Sequence, residues 1–312
     1  MAVAPPVRES LMNVQTTLSP GQPVGTALRD IAAGAVADAQ AILNDSERDA
    51  TTKVHDIRRA LKRWRALLRM MAPHLGEGGE ALRFQARDLA RRLTVARDAQ
   101  SAIDAFVDAN EGCADLPIAL PARSIATMRS RLDAQKAENE RDIWTDEIQQ
   151  LLSDYLTAAA WQVSHWDLEK LSFADLADML TTTYRRAREA MPADWDEAAG
   201  ETLHDLRRRV VEHRYQMELI EPVWPRLGRI WVDEAQRLRT RLGKYQDLEM
   251  LTAKTAPQQP LARWRTKLMP VIEHRQSDHV QAARRLAARL FAESPKGFRR
   301  RLEALWDAQA ED

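Results

Sequence analysis

The sequence has a single cysteine, Cys113, among its 312 residues. One thiol excludes an internal disulfide bond and a zinc site built from several cysteines, and such usage is typical of a reducing compartment. No uninterrupted apolar run reaches the roughly eighteen residues that a transmembrane helix needs, and 1–17 lacks the apolar core of a signal peptide. The sequence therefore predicts a cytoplasmic protein with no membrane partner, in which 1–17 is a flexible N-terminal segment.

A surplus of charge of one sign is also missing. Lysine plus arginine and aspartate plus glutamate number 46 each, so the formal net charge is zero. General nucleic-acid and membrane binders need a broad basic field, which this composition excludes. Any anion site must therefore be local, and it must arise from the way the fold sorts charges onto separate surfaces.

Alternating β-type runs are nearly absent, while apolar residues recur at helical spacing over most of the chain. This pattern predicts an all-α fold. Stretches such as "APHLGEGG" and "KTAPQQP" are expected to separate helices, because proline and clustered glycine do not continue them. The predicted helices cover roughly 26–44, 53–72, 80–108, 122–141, 145–163, 174–191, 201–220, 228–253, 260–291 and 297–308.

Two segments of the chain resemble each other at a separation of 149 residues: "VHDIRRALKRWR" at 54–65 and "LHDLRRRVVEHR" at 203–214. The same offset aligns Asp98 with Asp247, so the histidine and the aspartate are 43 residues apart in both copies. Chance rarely preserves both a motif and such a spacing, so the sequence predicts a tandem duplication within a single domain. The expected halves are 18–165 and 172–310, each a four-helix bundle, related by a pseudo-two-fold axis.

One face of the first His-containing helix carries only bases. With about 100° between successive helical residues, five bases share an arc of about 80°, and apolar residues such as Trp64 lie on another face. The five are His55, Arg58, Lys62, Arg65 and Arg69. Like charges three or four residues apart destabilise a helix, and such repulsion persists most easily where an anion relieves it. This basic face is therefore a candidate anion site.

The second copy repeats the basic face in a weaker form. Its members are His204, Arg207, Arg208 and Arg214. Val211 takes the place of Lys62, and Glu218 that of Arg69. Further bases that lie nearby in sequence are Arg92, Arg97, Arg188, Arg241 and Lys244. Guanidinium groups bind two phosphate oxygens at once, and the first face rises over roughly 15 Å, which suits an extended, repeating anion better than one small phosphate.

The duplicated His-x-x-Arg helices, each followed later by an Arg-Asp-like turn, resemble the CHAD family, the conserved histidine α-helical domain. The segments that carry the resemblance are "HDIRRALKRWR", "ARDAQSAI", "YRRAREAM" and "LHDLRRRVVEHRYQMEL". The resemblance covers 18–310 and implies two four-helix halves around a central basic pore or groove that binds inorganic polyphosphate. It also implies a stand-alone module, without a triphosphate-tunnel catalytic domain, that gathers at polyphosphate granules or holds partner proteins there.

The resemblance assigns polyanion-facing positions residue by residue. These positions are His55, Arg58, Lys62, Arg65, His204, Arg207 and Arg214, with Arg92, Arg97, Arg241 and Lys244 matching a third-helix basic region. The sequence departs from the family pattern where Val211 and Glu212 interrupt the second basic face, and where Gln246 replaces the arginine expected before Asp247. The departures predict an asymmetric binding surface.

Two other functions remain open. A metal-dependent phosphohydrolase would use the two His-Asp pairs as ligands, but neighbouring side chains on a helix point about 100° apart and such a site needs further ligands. A nucleic-acid binder would interleave aromatic side chains with the bases, whereas Trp64 points inward. No activated nucleophile or paired-carboxylate cleft is evident. We therefore expect no enzyme activity, no cofactor or metal, and no nucleic-acid partner.

Two finer expectations concern the polar residues of the His-containing helices. Asp56 and Asp205 lie near the edges of the basic faces and are expected to pair with Arg59 and Arg208 or with a neighbouring helix. His213 falls on the apolar face, where a core histidine with satisfied hydrogen bonds is more common than a ligand.

Overall fold

The computed structural model describes residues 17–18, 21–93, 95–111, 121–140 and 144–309, with side chains for all of these except 95–99 and 139–140. Within these ranges the secondary structure is helical, without strands, so the all-α prediction is confirmed. The helices are α1 (Val24–Asn44), α2 (Ala50–Arg92), α3 (Val95–Glu111), α4 (Ala122–Glu140), α5 (Asp146–Ser164), α6 (Phe173–Glu189), α7 (Gly200–Ile220), α8 (Pro225–Ala253), α9 (Arg265–Leu290) and α10 (Pro295–Gln309). No helix in the described ranges combines the length and the apolar character needed to cross a membrane.

Side-chain caps fix the starts of α2 and α6, two helices that line the cavities described below. At the start of α2, the side chain of Asp49 accepts a hydrogen bond from the backbone N–H of Thr52 at 2.9 Å. At the start of α6, Ser172 and Asp175 form a reciprocal capping box. Such caps satisfy backbone N–H groups that have no partner within the helix.

Two predicted boundaries are wrong, and both concern α2. The sequence predicted separate helices over 53–72 and 80–108, but α2 continues through "APHLGEGG" to Arg92, and α3 begins at Val95. Within α2 only Gly76 departs from helical geometry, with φ 59° and ψ −154°. Glycine adopts positive φ without a Cβ clash, so a kink at one residue replaces the expected loop.

Two buried clusters form the core. The larger cluster joins residues from α1, α2, α5, α6, α7, α8, α9 and α10. The smaller one joins α3 and α4 to α8 and α9, with Phe106, Met128 and Ile272 among its members. The α3–α4 pair therefore packs against helices of 172–310, so the core does not divide at the boundary between 18–165 and 172–310.

The apolar face of α2 is held in the core by a hydrogen-bonded aromatic pair. Trp64 is 3% exposed, as the helical spacing predicted. Its Nε1–H donates to the Tyr155 hydroxyl at 2.6 Å, and that hydroxyl donates to the Leu82 carbonyl at 3.0 Å. Because these contacts satisfy the buried polar atoms, they fix the rotation of α2 and turn its basic face away from this core.

Candidate functional site

Three bases of the first basic face line a single cavity, which we call cavity A. It has a volume of about 720 Å³ and lies between α2, α3, α4, α7 and α8. Its cationic lining consists of His55, Arg58, Arg59, Lys62, Lys136, Arg214 and Arg239, and the carboxylates of Asp104 and Asp247 also reach it. The structure thus brings His55, Arg58 and Lys62 together with Arg214 of the second basic face.

The guanidinium group of Arg58, a residue near the start of α2, binds carbonyl groups at the C-terminal end of the same helix. Its Nη1 donates to the Ala90 carbonyl at 3.3 Å and to the Leu93 carbonyl. Carbonyl groups at a helix end lack partners within the helix, so a guanidinium group satisfies them well. The contact ties the segment beyond the Gly76 kink to the N-terminal half of α2 and holds Arg58 in the wall of cavity A.

The aspartates of the two His-Asp pairs contact arginine side chains. Asp56 forms an ion pair with Arg48 and lies 3.7 Å from Arg59. Asp205 forms an ion pair with Arg208, so the pairings expected from the sequence are both present. The described residues contain no group of three or more His, Cys, Asp or Glu side chains arranged to hold a metal ion. The aspartates therefore act as counter-charges within the basic helices.

A second cavity, which we call cavity B, contains two other bases of the sequence prediction, Arg69 and Arg208. It has a volume of about 800 Å³ and lies between α2, α6 and α7. Its basic lining consists of Arg69, His74, Arg83, Arg186, Arg208 and Arg209. At cavity A, the first residues of α2 lie near the C-terminal part of α7. At cavity B, later residues of α2 lie near earlier residues of α7. The two helices therefore pair in antiparallel directions, with one cavity towards each end.

Arg65 lies on α2 between the residues that line the two cavities. Burial lowers the pKa of Arg65, and the positive charge of Arg69 lowers it further, while Glu212 opposes the shift. The Nε atom of Arg65 is buried, with no hydrogen-bond partner among the described residues. This part of the basic face is therefore under like-charge repulsion.

Arg241 and Lys244 lie in neither cavity A nor cavity B, because they contact a buried cluster around Asp108. The Lys244 Nζ lies 2.5 Å from the Asp108 carboxylate, the His279 Nε2 lies 2.7 Å from it, and Arg275 donates to it at 3.0 Å. The Arg241 Nη1 lies 3.3 Å from the His279 Nδ1. Burial alone raises the pKa of Asp108, but hydrogen bonds from His279, Lys244 and Arg275 outweigh it and hold the pKa well below its usual range.

Four other predicted bases, Arg92, Arg188, His204 and Arg207, lie outside both cavities, and of these Arg188 and Arg207 are half-buried. Arg207 donates to the Gln246 side chain at 2.5 Å, and Arg188 donates to the Glu293 carbonyl at 2.9 Å. Arg92 lies 3.7 Å from Glu147 and His204 is exposed. The side chain of Arg97 lies outside the described residues. The structure does not place these five residues at cavity A or cavity B.

His213 lies in the core, as predicted, but it lacks the hydrogen bonds that were expected. The ring is 0% exposed and packs against Tyr184, Phe291 and Phe298. Neither ring nitrogen has a hydrogen-bond partner in the described part of the chain. The expectation of a satisfied histidine is therefore wrong, because the ring is surrounded by aromatic side chains. Burial lowers the pKa of His213 to about 3.

Sequence reasoning missed three cations of cavity A. Arg59 was assigned only to Asp56, although its side chain also lines the cavity. Lys136 comes from α4, whose partner helices were not predictable. At the offset of 149 residues it aligns with Arg285, a match in charge that could have drawn attention to it. Arg239 aligns with Ala90, so comparing the repeats gave no signal there.

A protein-family model and two solved structures match this chain. The CHAD domain family model matches residues 27–256. Among solved structures, PptA from Streptomyces chartreusis matches with a TM-score of 0.61 at 16% identity, covering 87% of this chain and 100% of that chain. The CHAD domain from the plant Ricinus communis matches with a TM-score of 0.61 at 17% identity, covering 89% and 96%. No curated protein sequence matches the chain. Because the family model covers well over half of its residues, the chain belongs to the CHAD family.

Proposed function

We propose that the protein binds inorganic polyphosphate in cavity A and catalyses no reaction there. The observation that carries the proposal is the convergence of bases from α2, α4, α7 and α8 on one cavity. Six lysine and arginine side chains line it against two aspartates, and His55 adds charge when protonated. A surplus of this kind favours a polyvalent anion, and guanidinium groups match pairs of phosphate oxygens.

The duplication is part of the proposal, because it would explain how bases of both halves reach one groove. Helices α1 and α6 begin at Val24 and Phe173, and helices α5 and α10 at Asp146 and Pro295. Each pair of starting residues is 149 residues apart, like the two histidines. We attribute the equivalence to two copies of one helical unit around a pseudo-two-fold axis, with the basic groove at their junction.

The alternative of a metal-dependent phosphohydrolase has less support. It would require Asp56 and Asp205 to ligate a metal, whereas their carboxylates contact arginine side chains. A direct test is incubation of the protein with long-chain polyphosphate and Mg²⁺ or Mn²⁺. Release of inorganic phosphate above a protein-free control would favour the hydrolase, and its absence with intact binding would favour the binder.

Removing two cavity cations tests the binding site. Titration calorimetry with long-chain polyphosphate at fixed salt should show at least a tenfold weaker affinity for Lys62→Ala/Arg239→Ala. The matched control is Lys267→Ala/Arg289→Ala, which removes the same charges from the exposed surface of α9. We expect the control to stay within about twofold of wild type, since screening at 0.15 M salt weakens charges farther than roughly 8 Å from the ligand. Equal affinities of the two double variants would overturn the assignment.

The cellular role that we propose is association with polyphosphate granules, where the protein would gather or hold partner proteins. A fluorescent fusion should colocalise with granules, and the Lys62→Ala/Arg239→Ala variant should lose that pattern while the Lys267→Ala/Arg289→Ala control keeps it. If the cavity variant still colocalises, a contact other than cavity A directs the protein there.

A further inference from the structure

We propose that cavity B is a second anion site, which binds a short polyvalent phosphate independently of cavity A. The lining bases come from three helices that are far apart in sequence. Arg69, His74 and Arg83 belong to α2, Arg186 to α6, and Arg208 and Arg209 to α7. The inference does not depend on polyphosphate binding in cavity A.

The arginines of cavity B outnumber the carboxylates that contact them. Arg69 pairs with Glu212, and Arg209 lies 3.8 Å from the same carboxylate. Arg208 pairs with Asp205 and Arg83 lies 3.7 Å from Glu80. Arg186 makes no ion pair with any described residue. Four arginines therefore share three carboxylates and Arg186 has none, so the cavity keeps a local surplus of positive charge.

The two other carboxylates in the lining are engaged elsewhere. Asp175 accepts hydrogen bonds from the backbone N–H and the hydroxyl of Ser172, at 2.9 and 2.6 Å, in the capping box of α6. Asp178 lies 2.8 Å from Arg299 of α10. Arg299 therefore neutralises Asp178, whereas Asp175 keeps its charge beside His74 and offsets one positive charge of cavity B.

Arg69 is repelled by the neighbouring arginines of cavity B. Burial lowers the pKa of Arg69, and the charges of Arg83, Arg209 and Arg208 lower it further, while Glu212 opposes the shift. A bound polyanion would face several guanidinium groups at once and remove this repulsion. Each guanidinium group offers a pair of N–H donors that fits two phosphate oxygens. A single carboxylate such as Glu212 accepts from only some of the donors in the cavity.

Two bases of α2 in the lining of cavity B lie close together along the helix. Arg69 and His74, five residues apart on α2, are separated by a rise of about 7.5 Å. Arg186 and Arg208 approach from the other two helices. The spacing of about 7.5 Å along α2 suits two or three linked phosphate groups. Either an inorganic oligophosphate or the phosphate tail of a nucleotide has that chemistry.

The experiment isolates cavity B in the background of Lys62→Ala/Arg239→Ala, where cavity A is weakened. Metal-free tripolyphosphate and ATP are titrated separately into this protein by calorimetry. Adding Arg186→Ala should weaken the binding of the tighter of the two anions at least fivefold. The matched control adds Arg185→Ala instead, which removes an equal charge from an exposed neighbouring residue outside the lining of cavity B. The control should stay within twofold.

The possible results separate the two anion sources and the two sites. Comparable binding of tripolyphosphate and ATP would identify the phosphate tail as the recognised group, and a preference for tripolyphosphate would identify an inorganic ligand. Equal effects of Arg186→Ala and Arg185→Ala, or no binding of either anion in the double-variant background, would overturn the second site. Failure of cavity A would instead appear as unchanged long-chain polyphosphate binding by the background variant itself.

Discussion

Arg69 on α2 donates a hydrogen bond to Glu212 on α7, across the antiparallel pairing of the two basic helices. In the same pairing Arg63 lies 3.5 Å from Glu218. At the offset of 149 residues, Glu212 aligns with Arg63 and Glu218 aligns with Arg69. The two ion pairs are therefore reciprocal, as contacts across a two-fold axis are.

The reciprocity bears on the proposed duplication. Two identical copies would place like charges opposite each other at both contacts. The first copy has arginine at both positions and the second has glutamate, so the charges are complementary. Glu212 and Glu218, two of the departures that weaken the second basic face, thus have a structural role, since each pairs with an arginine of α2.

A double-mutant cycle measures this contact. We expect Arg69→Met and Glu212→Gln each to lower the free energy of unfolding, because each leaves a half-buried charge with a lost partner. The double variant should lose less than the sum, with a coupling of about 1 kcal/mol. Urea unfolding followed by tryptophan fluorescence provides the measurement. Strict additivity would mean that the pair does not stabilise the helix contact.

The two equivalent histidines should differ in polyphosphate binding. Both side chains are exposed, but His55 lines cavity A, whereas His204 lies outside both cavities. His55→Ala should therefore weaken binding a fewfold at pH 6, where imidazole carries more charge, and His204→Ala should not. Calorimetry on the two variants compares the same chemical change at repeat-equivalent positions. Equal losses would show that both basic faces contact the ligand.

The helical spacing correctly predicted which way side chains point from a helix, but it did not predict which other helices they contact. It placed Trp64 in the core and Asp56 beside Arg59, because both depend on one helix alone. It did not predict that Arg58 and Arg69 line different cavities, since that depends on which helix crosses α2 at each level. Nor could it assign Lys244 to Asp108, which lies on a helix more than a hundred residues away in sequence.

His213 should make the fold sensitive to acid. Its pKa is about 3 in the folded state because of burial, against the ordinary 6.5, so the unfolded chain binds the proton more tightly. Stability should therefore fall as the pH falls from about 6.5 towards 3, by at most about 1.4 kcal/mol per pH unit from this residue. His213→Leu should flatten that part of the profile in urea unfolding, while His74→Gln, at an exposed position, should not. Parallel profiles for wild type and His213→Leu would contradict the assignment.

The cluster around Asp108 should hold the α3–α4 pair against α8 and α9. Asp108 is 5% exposed and accepts hydrogen bonds from Lys244 of α8 and Arg275 of α9. Asp108→Asn removes the charge that these cations share, so we expect a loss of about 3 kcal/mol in the free energy of unfolding at pH 7. Because the folded pKa is lowered, this stabilisation is present above the unfolded value of 3.8 and declines as the pH falls below it.

Hydrogen exchange locates the effect of Asp108→Asn. Amides of α3 and α4 should exchange faster, and those of α1 and α5 should be little changed, because the latter belong to the larger core cluster. Asp133→Asn is the matched control, since Asp133 is a half-exposed residue of α4 that pairs with Arg129 at 3.1 Å. The α3–α4 pair also carries Gln100, Asp104 and Lys136 into the wall of cavity A. Asp108→Asn should therefore weaken polyphosphate binding as well, and an unchanged affinity together with faster exchange would show that this wall contributes nothing to the site.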